Sequence, residues 1–198
     1  MDNNFSIIIS TCDKFSDLWD AHVQLLNQNW ADRNVETFLL TDKPTDRKFK
    51  NITVVAAGKG TEITERLQAV IPMIKTEYVL FTLDDYFLTE KISTEAIKED
   101  ISIMEKHRID YLRLFVMTKK SLKNRKAKEV EPGIFVLDNN AGDYIVSLYA
   151  GIWQKDFMAK TLGKKMNAWQ YEVALTQMAR KLKACCADSR RGEFPILD

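Results

Sequence analysis

The chain has 198 residues, 45% of them hydrophobic, with seven Gly and four Pro; that is enough apolar surface for one globular domain and too few turn residues for a disordered or fibrous chain. Its 29 basic and 28 acidic residues leave a formal net charge of +1, which gives no field for gripping a nucleic-acid backbone, so nucleic acid is not an expected partner. No apolar run approaches the roughly 20 residues that span a bilayer, and the polar start Met1-Asp2-Asn3-Asn4 is no signal peptide, which predicts a cytoplasmic protein, peripheral at the inner face of the cell membrane if it works at a membrane at all.

Phe5 to Thr11 (FSIIIST) is a short Ile-rich run and predicts a buried first strand. Trp19, Val23, Leu26 and Trp30 then recur at helical spacing, with Ser16 or Asp13 as the expected cap. Val35 to Leu40 and Ile52 to Ala56 predict a second and a third strand, the latter ending at Gly58-Lys59-Gly60-Thr61, which lacks phosphate-loop spacing and reads as a plain loop. Leu67, Val70, Ile71 and Ile74 mark a helix that Pro72 should kink or shorten. Tyr78 to Leu83 (YVLFTL) has no alternation, as in a strand covered on both faces of a parallel sheet. Ile97, Ile101 and Met104 predict a helix capped near Ser93 or Thr94, and Tyr111 to Met117 a further strand. Beyond it, Lys119 to Glu129 reads as a basic surface loop, Gly133 to Leu137 and Tyr144 to Tyr149 as strands, and Ile152 to Leu162 and Trp169 to Leu182 as helices, while Ala187 to Asp198 has no period. Alternating strands and helices predict an α/β fold, a central, mostly parallel sheet flanked by helices. No linker divides it, so residues 1–198 are read as a single domain.

Asp84 and Asp85 follow the YVLFTL strand directly. Two adjacent carboxylates beyond a buried strand repel each other and lose hydration unless a cation lies between them. Mg²⁺ or Mn²⁺ suits carboxylate oxygen, and Mg²⁺ is typically held by one or two carboxylates plus substrate phosphates. Open α/β sheets also bind ligands at the carboxyl ends of their strands. A bare Asp-Asp would read as a solvated turn; the strand before it and Tyr86-Phe87 after it favour a site.

The run YVLFTLDDYFL resembles the metal-binding acidic motif of GT-A-type glycosyltransferases, in which a hydrophobic strand delivers a D-x-D or D-D pair. With STCDKFSDLW, LLTDK, TERLQAVI, YAGIWQKDFM and NAWQYE in that order, the chain resembles bacterial glycosyltransferases of capsule and lipopolysaccharide assembly. The resemblance implies a GT-A-like, Rossmann-like domain with a nucleotide-binding half (1–90) and an acceptor-binding half (91–198). It implies a nucleotide-sugar donor, a UDP-sugar favoured, and a glycan or lipid-linked glycan acceptor. Thr11, Cys12 and Asp13 would contact the donor's base and ribose, and Asp42 the base. Arg66 would meet the diphosphate, Asp85 would bind Mn²⁺ or Mg²⁺, and Asp84 would bind the metal or the donor. Turn or cap duty competes for Asp13 and Asp42, and a solvated helix face for Arg66.

An inverting enzyme also needs a base for the acceptor hydroxyl. Glu172 in NAWQYE is the candidate, an acid at a helix start beside Trp169 and Tyr171, whose rings could stack on acceptor sugars. Asp156 and Asp143 are its reserves. His22 and His107 read as surface residues of their helices. Cys185-Cys186 reads as packing, since three cysteines make neither a disulfide framework nor a zinc motif. Lys119, Lys120, Lys123, Arg125, Lys126 and Lys128 could face anionic lipid, against the plainer reading of a solvated loop. A nucleotidyltransferase and a non-catalytic nucleotide-binding module remain open as alternatives; an aspartyl phosphatase ranks low, because its acidic motif should follow the first strand.

Overall fold

The computed structural model describes residues 4–114, 126–140 and 142–197. In chain order its elements are β1 (Phe5–Ser10), α1 (Trp19–Asn29), β2 (Thr37–Thr41), β3 (Thr53–Ala56), α2 (Ile63–Val70), β4 (Tyr78–Leu83), β5 (Phe87–Leu88), α3 (Thr94–His107), β6 (Tyr111–Arg113), β7 (Ala127–Glu131), β8 (Ile134–Leu137), β9 (Gly151–Gln154), α4 (Lys155–Thr161), α5 (Ala168–Leu182), β10 (Cys186–Ser189) and β11 (Ile196–Leu197). One mixed sheet runs β3-β2-β1-β4-β9-β6-β10-β8-β7, and β11 pairs with β5 apart from it. β3, β2, β1 and β4 are mutually parallel. β9 enters antiparallel between β4 and β6, and β10 returns parallel to β6.

β1 and β2 are buried along their whole length and β4 up to its last residue, as unalternated apolar runs require of strands with two covered faces. One face presents Ile8, Val79 and Phe81 to α2, α4 and α5 through Leu67, Phe157 and Leu175. The other presents Ile7, Ile9 and Leu80 to α1 and α3 through Leu26, Ile97 and Ile101. The result is the expected three-layer α/β arrangement. No helix among the described residues is long and apolar enough to cross a membrane.

Several local expectations are corrected. Neither Ser16 nor Asp13 caps α1: the chain makes a 3-10 turn at Asp13–Phe15, and α1 starts after Leu18 with no side-chain cap. Pro72 does end α2, which tightens into a 3-10 turn at Ile71–Met73, and Ser93 caps α3 by accepting from Ala96 N at 3.2 Å. Tyr144 to Tyr149 is no strand. Its Ile145, Val146 and Leu148 are apolar because they plug the core, not because they pair. Ile152 to Leu162 is not one helix: Ile152 and Trp153 fill the antiparallel slot between β4 and β6, and α4 begins only after Gln154, whose side chain accepts from Phe157 N at 2.7 Å. The aperiodic tail contains β10, deep in the sheet, and β11. Of the expected basic loop, 119–125 lies outside the described residues, while Ala127–Glu131 forms the polar edge strand β7, a common defence of exposed edges. Of the strand expected over Tyr111 to Met117, Tyr111–Arg113 is strand and 115–117 lies outside the described residues.

Gly151 starts β9 where β4 and β6 converge on it, opposite Phe81 and Arg113. A Cβ there would stand 2.9 Å from the Leu112 carbonyl oxygen and 3.0 Å from the Tyr111 ring. Gly151→Ala should cost about 1–3 kcal/mol, read as a lower denaturation midpoint in urea. On α3, Asp100 is fully buried. Burial and the neighbouring Glu193 carboxyl push its pKa up, against the pull of Arg191. A carboxyl raised in the folded state keeps a proton that the unfolded chain releases, so its contribution is complete below about pH 3.9 and is lost as the pH rises through the folded-state value. Asp100→Asn should therefore flatten the fall of melting temperature between neutral and alkaline pH, measured by thermal scans across buffers.

Candidate functional site

The C-terminal ends of β1, β2 and β4 lie side by side, because the strands are parallel and adjacent. Each delivers an acid or its neighbour to that edge: Thr11, Cys12 and Asp13 after β1, Asp42 after β2, and Asp84 and Asp85 after β4. Asp13 N donates to Asp42 Oδ1 at 2.7 Å, and Lys43 pairs with the Asp13 carboxylate. Arg66 comes from α2. It is 9% exposed, with Nη1 donating to Thr61 O at 2.6 Å, so the solvated-face reading is wrong for it. Burial raises the Cys12 thiol's pKa, and Arg66 lowers it, while Asp42 and Asp84 raise it. The charges of Arg66, Asp42 and Asp84, expected at the diphosphate, the base and the metal or donor, are all felt at Cys12.

The two aspartates differ. Asp85 is exposed. Asp84 is 7% exposed, and its carboxylate accepts from the Thr11 hydroxyl, which in turn accepts from Trp19 Nε1 at 2.8 Å. Burial pushes the Asp84 pKa up to about 6; the Thr11 hydroxyl opposes this, and the charge of Asp85 adds to it. The Thr11 hydroxyl is therefore committed inside the protein.

His22 corrects the surface reading. It is buried at 3% exposure on the core face of α1, and its Nδ1 lies 3.0 Å from the Asp84 carbonyl oxygen. A carbonyl only accepts, so Nδ1 carries the hydrogen. Burial lowers the His22 pKa to about 4, which keeps it neutral. Its Nε2 has no partner among the described residues, and the ring lies 6.1 Å from that of Phe87. The sequence signal was present: Trp19, His22, Val23 and Leu26 share one helical face. His107 is half-buried, with Nε2 at 2.8 Å from a Glu131 oxygen.

Because β9 runs opposite to β4, residues 142–150 enter it along this same edge. Glu172 reaches that segment from α5, its Oε1 accepting from Leu148 N at 3.0 Å. The next residue, Tyr149, stacks on Tyr86 at 5.7 Å with 13° between planes, so one short run of contacts links Glu172 to the residue after Asp85. Trp169 is 78% exposed on the first turn of α5. Tyr171 is not available to a sugar: it is 1% exposed, and its hydroxyl lies 2.6 Å from Thr161 Oγ1. Helical periodicity turns it into the core while Trp169 faces outward and Glu172 stands half-buried between the two. Asp156, held in reserve as a base, lies at the wrong edge, since Gln154 pairs with Tyr78 at the start of β4; Asp143 lies at the right one.

Among the described residues, no three His, Cys, Asp or Glu side chains form a ready metal cage. Asp84 and Asp85 suit the other mode, a cation shared between one or two carboxylates and a ligand's phosphates, and Asp85 has the more accessible oxygens.

No family model matches the chain, and no curated protein matches it. Solved structures do match. S. aureus TarS 1-349 in complex with UDP-GlcNAc superposes with a TM-score of 0.63 at 18% identity, over 96% of this chain and 57% of that one. Its complex with UDP gives 0.62 at 16%, over 96% and 59%. A UDP-glucose pyrophosphorylase complexed with UDP-glucose gives 0.58 at 9%, over 97% and 91%. The chain thus spans somewhat over half of TarS 1-349. The likeness establishes the GT-A-like α/β fold.

Thr11→Val would strand both the buried Trp19 N–H and one oxygen of Asp84. It should destabilise the protein by about 2–3 kcal/mol, whereas Thr11→Ser, keeping the hydroxyl, should recover most of that; urea unfolding of the two variants checks it.

Proposed function

We propose that this protein is a metal-dependent glycosyltransferase that moves a sugar from a nucleotide-sugar donor, a UDP-sugar, to a lipid-linked surface-polysaccharide acceptor of the capsule or lipopolysaccharide type. The observation that carries the reading is the convergence of Cys12, Asp13, Asp42, Arg66, Asp84 and Asp85 at the carboxyl ends of three adjacent parallel strands, where open α/β sheets bind ligands. Structures of the same fold hold UDP-GlcNAc and UDP-glucose, which supports the donor class.

In this reading Asp13 and Asp42 meet the base and ribose through the loops after β1 and β2, and Arg66 faces the diphosphate. Mn²⁺ or Mg²⁺, held by Asp85 with Asp84 beside it, would offset the charge that grows on the departing nucleoside diphosphate. Glu172 takes the proton from the acceptor hydroxyl as that oxygen attacks the anomeric carbon. The Leu148 N–H fixes its Oε1 and leaves Oε2 for the proton. Much of the rate comes from holding the two substrates in line.

A nucleotidyltransferase is the second reading, favoured by the extent of the pyrophosphorylase match. Melting the protein with UDP, GDP, CDP and dTDP, each with Mn²⁺ and with EDTA, should show a metal-dependent rise with one nucleotide. Asp85→Ala should abolish that rise. Glu172→Gln should keep it and lower transfer about 10²–10⁴-fold. No rise with any nucleotide would sink the proposal, and formation of UTP from UDP-glucose and pyrophosphate would replace it with the second reading.

A further inference from the structure

The outer face of α5 carries Trp169, Val173 and Gln177 at intervals of four, with Thr176 beside them. Across from it stands the segment of Asp143 and Tyr144. Between them lies a cavity of about 240 Å³ lined by Asp143, Tyr144, Val173, Thr176 and Gln177. It is smaller than the roughly 300–1,000 Å³ of pockets for drug-sized ligands, the size for a single ring.

Tyr144 is held there under strain. Its φ is +58°, the left-handed region, which is costly for a bulky residue. Arg113, fully buried and bonded through Nε to Asp188 Oδ1 at 2.9 Å, donates from Nη2 to the Tyr144 carbonyl at 2.7 Å. The same guanidinium holds Ser147 Oγ at 3.2 Å. A buried ion pair thus fixes a backbone that keeps the Tyr144 side chain 44% exposed. Thr176 is 3% exposed, lines the cavity, and its hydroxyl has no partner among the described residues. A buried hydroxyl left unsatisfied costs about 1–3 kcal/mol, so its place in a cavity wall points to a polar occupant. Val173, 52% exposed, adds an apolar surface that water alone does not explain.

We infer that this cavity is a binding subsite for one hexose-type ring of a glycan, with the Tyr144 ring and Val173 against its C–H face and Thr176, Gln177 and Asp143 bonding its hydroxyls. A sugar has both surfaces: C–H edges of partial positive charge, which suit the negative face of an aromatic ring, and hydroxyls that donate and accept. Glu172 and Thr176 are four residues apart and so neighbours on the helix, about one 5.4 Å turn from each other. The inference rests on the glycosyltransferase reading in one respect: the ring is the acceptor's, bound one residue away from the hydroxyl that Glu172 serves. The recognition of a sugar ring by this cavity does not depend on it.

The test is NMR titration of the full chain, labelled at amides and methyls, with the methyl glycosides of glucose, galactose, N-acetylglucosamine and rhamnose into the millimolar range. At least one glycoside should shift the signals of Val173, Thr176 and Tyr144. Tyr144→Ala should weaken that binding about tenfold, and Val173→Asp should weaken it similarly while the far-UV spectrum and melting temperature stay near wild type. Tyr144→Phe, which keeps the ring, should retain it. Shifts confined to other regions, or none with any glycoside, would overturn the subsite even if a nucleotide stabilises the protein. Glycoside shifts here without nucleotide stabilisation would leave the subsite standing and remove the transferase.

Discussion

The structure turns on the buried end of β4. Asp84 stands where the buried, apolar strand β4 stops, and burial pushes its carboxyl toward the neutral form. Three contacts make the position tenable. The Thr11 hydroxyl, just after β1, donates to its side chain, Trp19 from α1 supports that hydroxyl, and His22 donates to its carbonyl. β1, β4 and α1 are thereby locked at the edge where the loops after β1 and β4 begin. Removing the Thr11 hydroxyl leaves the Trp19 N–H and an Asp84 oxygen unpaired, and such buried groups are costly in a low-dielectric setting.

This explains the different characters of the two aspartates. Burial raises the Asp84 carboxyl to about 6, with the Thr11 hydroxyl opposing it and the charge of Asp85 adding to it, while Asp85 remains out in solvent. One Asp84 oxygen is engaged inside the protein by the Thr11 hydroxyl. Asp85 follows directly on the anchored Asp84, so in the proposed reading the turn that carries it is set before a ligand arrives. Pre-organisation of this kind is how sites limit the entropy lost on binding.

How much of this was legible in the sequence depended on which forces leave a period behind. The unbroken runs of β1 and β4 and the helical spacing of α1 and α3 are imprints of burial, so the parallel half of the sheet and the acids at its edge could be read directly. The antiparallel half could not. Gly151-Ile152-Trp153 carries the apolar content of a helix or a strand alike, and only its slot between β4 and β6 decides. β10 was invisible because Asp188 lies in the core, satisfied by Arg113 from β6, 75 residues away in sequence; no local pattern announces a buried ion pair. Tyr144 to Tyr149 failed for the opposite reason, being apolar without being paired. At the candidate site, residue type singled out Asp84, Asp85 and Glu172, but phase around α5 was needed to see that Tyr171 faces inward.

The Arg113–Asp188 pair also relates the two halves of the site. Buried ion pairs contribute little net stability, yet losing one partner costs about 3–5 kcal/mol. Their value here is positional. From one guanidinium, bonds run to β10, to Ser147 and to the carbonyl of Tyr144, and the segment so fixed also gives Leu148 N to Glu172 and the Tyr149 ring to Tyr86. The irregular segment 142–150 is therefore held from three sides although it has no ladder of its own. It reaches the acidic turn at one end and the cavity of α5 at the other. In the proposed transfer, a connection of this form would set the spacing between a donor at Asp85 and an acceptor beside Glu172, and a two-substrate displacement depends on that spacing more than on the strength of either contact.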